Sequence, residues 1–60
     1  MNTKLKAKRL IEGLTQKEVA KSAHISERRY QAYEAGKGFP KADTAKRIAL
    51  ALNSTVEELF

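Results

Sequence analysis

The sequence predicts an all-α fold, a compact bundle of five short helices in a single domain that spans residues 1–60. Apolar residues recur at helical spacing, and no run of alternating β-branched residues predicts a strand. Two capping boxes, Thr15–Glu18 and Thr55–Glu58, mark helix starts. With 60 residues, 3 Gly and 1 Pro, the chain also lacks the length for a second domain and the composition of a linker.

The first helix is predicted over about Thr3–Glu12, with Leu5, Arg9 and Leu10 as candidates for its inward side. Gly13 ends this helix, because glycine readily takes the left-handed conformation that follows a helix C-terminus.

The second helix begins after Thr15, at the first capping box. Leu14 and Val19 flank this start and are predicted to form a hydrophobic staple. Val19, Ala20 and Ala23 then fall on one helical face and are expected in the core.

A tight turn at residues 23–25 separates the second helix from the third, although it contains neither glycine nor proline. His24 is the residue expected to take a positive φ, because histidine tolerates that conformation better than most side chains. A titrating or metal-ligating role is the alternative for His24, but no second histidine or carboxylate stands at supporting spacing.

The third helix is predicted to start after Ser26 as N-cap, to run to Ala35 and to end at Gly36. Tyr30 and Tyr33 share one side, which favours core positions for both over a role as stacking platforms. The opposite side carries the polar and small residues Arg28, Gln31, Ala32 and Ala35.

After a loop at residues 37–41, a fourth helix is predicted over about Ala42–Leu52, with Asn53 as its left-handed stop. Its core stripe follows the i, i+3, i+4, i+7 spacing and comprises Ala45, Ile48, Ala49 and Leu52. A single-turn fifth helix follows Thr55 and ends the chain. Its apolar residues Val56, Leu59 and Phe60 either close the core or form a small two-fold patch, and Phe39 has no evident apolar partner.

The composition argues against several classes of function. The chain has no cysteine and one histidine, so neither a metal site nor a cofactor is expected. No glycine-rich phosphate loop or serine–histidine–carboxylate arrangement supports an enzyme. No apolar run approaches the roughly 20 residues of a membrane span, so we expect a soluble, cytoplasmic protein without a signal peptide.

The positive charge is concentrated in the first two thirds of the chain. The formal net charge is +5; residues 1–41 hold 10 Lys+Arg and 4 Asp+Glu, whereas residues 42–60 hold 2 and 3. This asymmetry favours a polyanion as partner, nucleic acid before anionic membrane. The alternative is a solvated surface that keeps a small protein in solution.

The start of the third helix indicates double-stranded DNA in particular. Arginines are unfavourable in a first turn, where unpaired N–H groups already carry partial positive charge, yet Arg28 and Arg29 both stand there. An exposed Arg28 matches guanine O6 and N7, Glu27 matches cytosine N4, and the Ala32 methyl matches the thymine methyl. Stabilisation of an acid by the helix dipole is the rival explanation for Glu27.

Phosphate contacts are predicted for five residues, namely Gln16, Lys17, Arg29, Lys37 and Lys41. The first two lie at the N-terminus of the second helix, where backbone N–H groups attract anions. The alternatives are that Gln16 only supplements the cap and that the loop lysines are merely solvated.

The chain from Leu5 to Leu59 resembles the phage repressor and Cro-type helix-turn-helix family, also called the XRE family. The segments that carry the resemblance are Lys8–Arg9, Gly13–Ala20, Ile25–Ser26, Tyr33–Lys37, Pro40 and Leu52–Leu59. The resemblance implies a lambda repressor-like DNA-binding domain, usually a homodimer on a palindromic operator. It also implies that Gln16 contacts phosphate, that Gln31 and Arg29 are further candidates for the base-contacting set and that Arg9 and Glu34 form a partly buried salt bridge.

Several positions depart from the family pattern. His24 stands where the turn commonly has glycine, and Lys41 stands where a serine or threonine cap is common. Ala42 and Ala45 are smaller than the usual leucines. We hypothesise that the two tyrosines of the third helix, larger than the usual isoleucines, fill this volume.

The function predicted from these patterns is sequence-specific regulation of transcription, repressor-like, with the third helix in the major groove. An antitoxin or adaptor of the same fold, acting mainly through protein–protein contacts, is one alternative. A basic module that binds nucleic acid or anionic membrane without specificity is the other.

Overall fold

The computed structural model describes residues 2–60, and within them the chain forms five α-helices and no β-strand. These are α1 (Thr3–Ile11), α2 (Gln16–Ser22), α3 (Glu27–Glu34), α4 (Ala42–Ala51) and α5 (Val56–Leu59). The predicted all-α five-helix bundle is confirmed. The predicted ends of α1, α3 and α4 lie one residue too far along the chain, because Glu12, Ala35 and Leu52 are C-caps.

Four of the five helices in the described part of the chain end in a Schellman motif. The residue after each C-cap has a positive φ: Gly13 at 71°, His24 at 59°, Gly36 at 78° and Asn53 at 54°. The next N–H then reaches back to a carbonyl five residues earlier, as in α2, where Ile25 donates to Ala20 at 3.0 Å. The predicted left-handed roles of His24 and Asn53 are confirmed.

Capping boxes were expected at two helix starts, and one of them is complete. In α2, Thr15 Oγ1 accepts from the Glu18 N–H at 3.1 Å, and Glu18 Oε1 accepts from the Thr15 N–H at 2.9 Å. For α5 the prediction is half wrong. Thr55 Oγ1 does accept from the Glu58 N–H, but the Glu58 carboxylate accepts instead from Ser54 Oγ at 3.0 Å, a hydroxyl that competes for it.

The hydrophobic core gathers side chains from all five helices. Its largest fully buried members are Tyr30, Leu5, Ile48, Leu52 and Val19. The inward position predicted for Leu10 is wrong, since 59% of its surface is exposed. At 3.6 residues per turn Leu10 stands about 140° around the helix from Leu5, so one face cannot bury both.

The core stripe predicted for α4 is confirmed, because Ala45, Ile48, Ala49 and Leu52 are all buried. Ala42 is exposed and therefore vacates no core volume, so that part of the volume hypothesis is wrong. Tyr30 is fully buried, and Tyr33 is half-buried against the same core. Lys41 occupies the N-cap of α4 and makes no capping bond through its side chain.

The fifth helix closes the core. Leu59 is buried, and Val56 and Phe60 are half-buried against the core cluster. Of the two roles considered for these residues, core closure is the one that their packing supports.

Candidate nucleic-acid interface

Helices α2 and α3 are joined by a four-residue turn that the core holds in place. Ala23 is fully buried at the end of α2, and Ile25 packs partly against the core. His24 itself is exposed and carries the positive φ, so its ring points away from the core contacts that fix the turn. Ser26 Oγ accepts from the Arg29 N–H at 3.1 Å and starts α3. The result is a rigid pair of short helices with α3 on the outside.

The first turn of α3 is exposed, as the sequence predicts. Glu27, Arg28 and Arg29 are all exposed, whereas Tyr30, the next residue, is fully buried. Gln31 is also exposed, and its amide Nε2 donates to Glu27 Oε2 at 3.3 Å across one helical turn. These side chains therefore contribute little to the core and are free to contact another molecule.

Two shallow depressions gather most of the candidate residues. The larger one, about 730 Å³, is lined by Arg28, Arg29, Ala32 and Lys41, together with Phe39 from the loop before α4. A second depression, at the N-terminus of α2, brings together Gln16, Lys17 and Glu27. Gln31 lines a third, between α1 and α3, and Lys37 is exposed in the loop after α3 and lines none of them. The structure thus brings Arg28, Arg29, Ala32 and Lys41 together in one depression and Gln16, Lys17 and Glu27 in another, whereas Gln31 and Lys37 lie apart from both.

A buried ion pair supports α3 from behind. Arg9 Nε donates to Glu34 Oε2 at 2.6 Å and Arg9 Nη2 donates to Glu34 Oε1 at 3.3 Å, a bidentate geometry. Arg9 is 9% exposed and Glu34 is 6% exposed. Arg9 Nη1 also donates to the carbonyl of Leu14 at 3.0 Å, so one guanidinium joins α1, α3 and the residue before the α2 cap.

Gln16 extends this ion pair toward the surface. Its Nε2 donates to Glu34 Oε1 at 3.1 Å, and its side chain is half-buried. One amide hydrogen and the amide oxygen remain for an outside ligand. The alternative that Gln16 only supplements the cap of α2 does not describe its contact, which is with α3.

The same contacts shift the pKa values of the buried groups. Burial alone would raise the pKa of Glu34, but the hydrogen bond from Arg9, the nearby Tyr30 hydroxyl and the hydrogen bond from Gln16 together outweigh it and lower the pKa below its ordinary range. The hydrogen bond to Glu34 raises the pKa of Arg9. Burial raises the pKa of Tyr30, whose hydroxyl has no hydrogen-bond partner among the described residues. The pair is therefore charged at neutral pH.

Comparison with known proteins identifies the family. A family model described as helix-turn-helix, of the XRE or Cro/C1 type, matches residues 5–59. The chain belongs to the XRE family. A search of curated proteins and a search of solved structures find no match. XRE-family helix-turn-helix domains are DNA-binding regulators of transcription, and this domain is such a regulator.

Two residues of this XRE domain that position the interface were not found by sequence reasoning. Arg47 on α4 donates through Nε to the carbonyl of Ala23 at 2.9 Å and through Nη2 to Thr44 Oγ1 at 3.2 Å. It therefore caps the end of α2 at the turn. Its four-residue spacing from Asp43, with which it pairs at 3.4 Å, predicts only that local contact.

Asn2 is the other. Its Oδ1 accepts from the Leu5 N–H at 3.1 Å and caps α1, while its Nδ2 donates to the carbonyl of Leu59 at 2.8 Å. The Asn2 N–H donates to the carbonyl of Glu34 at 3.0 Å. Asn2 thus ties the N-terminus of the XRE domain to the ends of α3 and α5. An asparagine before a helix predicts the cap of α1 but neither of these two long-range contacts.

Within residues 2–60 of the XRE domain, no helix combines the length and the hydropathy that a membrane crossing requires.

Proposed function

We propose that this domain is a sequence-specific, repressor-like regulator that inserts the N-terminal half of α3 into the major groove of double-stranded DNA. The observation that carries the proposal is the exposed first turn of α3, with two arginines, on a helix anchored behind by Tyr30 and the Arg9–Glu34 pair. A major groove about 12 Å wide admits one α-helix. This anchoring supports insertion because it fixes the orientation of α3 relative to the rest of the domain while the helix contacts DNA.

Base contacts are assigned to the exposed side of α3. Arg28 donates to guanine O6 and N7, and the Ala32 methyl, in the same depression, contacts a thymine methyl. Glu27 accepts from cytosine N4, and Gln31 pairs with adenine through its amide. The Glu27–Gln31 hydrogen bond, long at 3.3 Å and exposed, is weak enough to be exchanged for base contacts.

Phosphate contacts are assigned to the residues around this helix. Lys41 and Arg29 lie beside Arg28, and Lys17 and Gln16 lie at the N-terminus of α2, where backbone N–H groups add to the attraction. Lys37 is exposed in the loop that follows α3 and is assigned a further phosphate contact. These contacts carry no base information but fix the register of α3 on the duplex.

We propose that the operator is palindromic and that a homodimer binds it. The protein is proposed to act on this DNA in the cytoplasm. Helix-turn-helix dimers place two recognition helices about one helical turn of DNA apart, so protein symmetry and operator symmetry correspond. A single domain of 60 residues offers few base contacts, which favours two half-sites over one.

Arg28→Ala should weaken binding to the preferred duplex by about 1–3 kcal/mol and relax the preference at one base pair, because a bidentate guanine contact is lost. Selection from a pool of random duplexes, followed by titration of the enriched sequence, measures both effects. Lys46→Ala is the matched control, since Lys46 is an exposed cation on α4 that lines neither depression of the proposed DNA-binding side.

An unchanged base preference for Arg28→Ala would remove Arg28 from the base-contacting set. Enrichment of no motif by the parent protein would argue against specific binding altogether. Affinity without a motif would then favour a nonspecific module, whereas a stable complex with a protein partner would favour the adaptor or antitoxin alternative.

A further inference from the structure

Phe39 is an aromatic side chain that the fold does not bury. It lies in the loop between α3 and α4, between Gly38, with φ at 84°, and Pro40, and 80% of its surface is exposed. It is the most exposed of the large hydrophobic side chains in residues 2–60. A phenylalanine held in water lacks the stabilisation that burial of its ring would supply. Core packing gives no reason for this residue.

The surroundings of Phe39 are strongly basic. The ring lines the same depression as Arg28, Arg29 and Lys41, and Lys37 precedes it by two residues. Lys41 is an exposed neighbour along the chain as well. Within residues 2–60, Asp43, which pairs with Arg47 at 3.4 Å, is the one acidic residue that lines the same depression. An apolar ring among mainly cationic side chains matches a ligand that is anionic but has apolar surfaces between its charges.

We propose that the Phe39 ring packs on deoxyribose in the DNA backbone that flanks the major groove entered by α3. This inference rests on the proposed function. When Arg28 reaches a base edge, the depression it shares with Phe39 and Lys41 faces the adjoining backbone. There Lys41 meets phosphates while Phe39 covers the apolar sugar between them. The contact adds affinity without base preference.

The charges argue against a second copy of the chain as the occupant. Phe39 also borders a depression with the apolar residues Tyr33, Leu59 and Phe60, but the polar residues Asn2, Thr3 and Lys4 line it too. Bringing two such surfaces together would also bring together the cations beside each Phe39. Exposed like charges repel at contact distance, whereas a polyanion neutralises them.

Salt titrations distinguish the apolar contact from the ionic ones. With the duplex enriched by the selection above, Phe39→Ala should raise the Kd about tenfold at every salt concentration and leave the slope of log K against log salt unchanged. Lys41→Ala should instead reduce the magnitude of that slope by about 1. Leu50→Ala is the matched control, because Leu50 is also a large exposed side chain, at 70%, but lines none of these depressions.

A fluorescence measurement tests the contact directly. The chain has no tryptophan, so Phe39→Trp introduces a single reporter. Its emission should change and its access to an added quencher should fall when the duplex is added, while Leu50→Trp should show neither effect. Because both positions are exposed, the variants are expected to fold as the parent does, and circular dichroism checks this.

The outcomes separate this inference from the proposed function. Duplex binding by the parent protein with unaltered affinity for Phe39→Ala overturns the sugar contact alone, and absence of duplex binding by the parent overturns both. Sedimentation of the parent protein and of Phe39→Ala, both without DNA, tests whether a second copy of the chain covers Phe39. If Phe39→Ala lowers self-association, and weakens binding to a full site but not to a half-site, the occupant is a second copy and the proposal is wrong.

Discussion

Replacing Glu34 with alanine should lower the free energy of unfolding by about 3 kcal/mol, because Arg9 would keep its charge in a buried position without its partner. Among residues 2–60, only the Leu14 carbonyl would still accept a hydrogen bond from the guanidinium. Chemical denaturation monitored by circular dichroism measures the loss. A domain of this size has a stability near the low end of the usual 5–15 kcal/mol, so much of it would disappear.

Two controls identify the buried charge as the cause. Glu12→Ala removes a carboxylate from an exposed pair with Lys8 at 3.4 Å and should cost less than about 1 kcal/mol. The double variant Arg9→Leu with Glu34→Leu should recover most of the stability lost by Glu34→Ala, since no unpaired charge remains. A double variant as unstable as the single one would show that the geometry of the pair, rather than its charge balance, holds α1 to α3.

The Glu34 pair also predicts how stability depends on pH. The folded state lowers the pKa of Glu34, so the charged carboxylate stabilises the fold at any pH above its unfolded pKa, about 4.3. This contribution is lost as pH falls through the folded pKa. Denaturation at a series of pH values from about 6 downward should therefore show falling stability, and Glu34→Gln should flatten that fall. A profile unchanged by Glu34→Gln would exclude Glu34 as its source.

Replacing Tyr30 with alanine should destabilise the domain by about 3–5 kcal/mol, the largest expected effect, whereas Tyr30→Phe should be nearly neutral or stabilising. The ring is fully buried at the centre of the core, so its removal leaves a cavity that a small bundle cannot fill. The hydroxyl lies near Glu34 and Arg9 but makes no hydrogen bond of acceptable geometry among residues 2–60, so its removal should cost little.

Thermal or urea unfolding of both Tyr30 variants tests this assignment. A loss above about 1 kcal/mol for Tyr30→Phe would contradict it, because it would mean that the hydroxyl makes a hydrogen bond in solution. Glu34, already engaged by Arg9 and Gln16, is the nearest carboxylate for such a bond.

Local chemistry made the helices and their ends predictable. Capping at Thr15, the left-handed stops at His24 and Asn53 and the stripe on α4 all depend on residues within one or two turns of each other. The inward position of Leu10 was mispredicted because the hydrophobicity of one residue does not show which face of α1 packs against the core. The ion pair of Arg9 with Glu34 fixes that face. The second capping box was mispredicted because the Ser54 hydroxyl and the Thr55 N–H compete for the Glu58 carboxylate, which accepts from Ser54.

Contacts between distant parts of the chain were predictable only in part. The Arg9–Glu34 pair spans 25 residues, and only resemblance to a family suggested it. The bonds of Arg47 to Ala23 and of Asn2 to Leu59 join residues 24 and 57 positions apart, and no periodicity connects them. The exposure of the first turn of α3 was predictable, because arginines in a first turn conflict with helix stability and have no reason to be buried there. Their partners on DNA stay predictions.

The residues that hold α3 in the fold and the residues that α3 exposes to a partner are different. Tyr30 and Glu34 are buried and hold the helix, whereas Glu27, Arg28 and Gln31 are exposed. Substitutions at such exposed positions usually change stability by no more than about 0.5 kcal/mol. Descendants of this protein can therefore exchange these three residues, which carry the proposed base contacts, while the inherited scaffold stays folded. Under the proposed function, new operator sequences become accessible by few mutations.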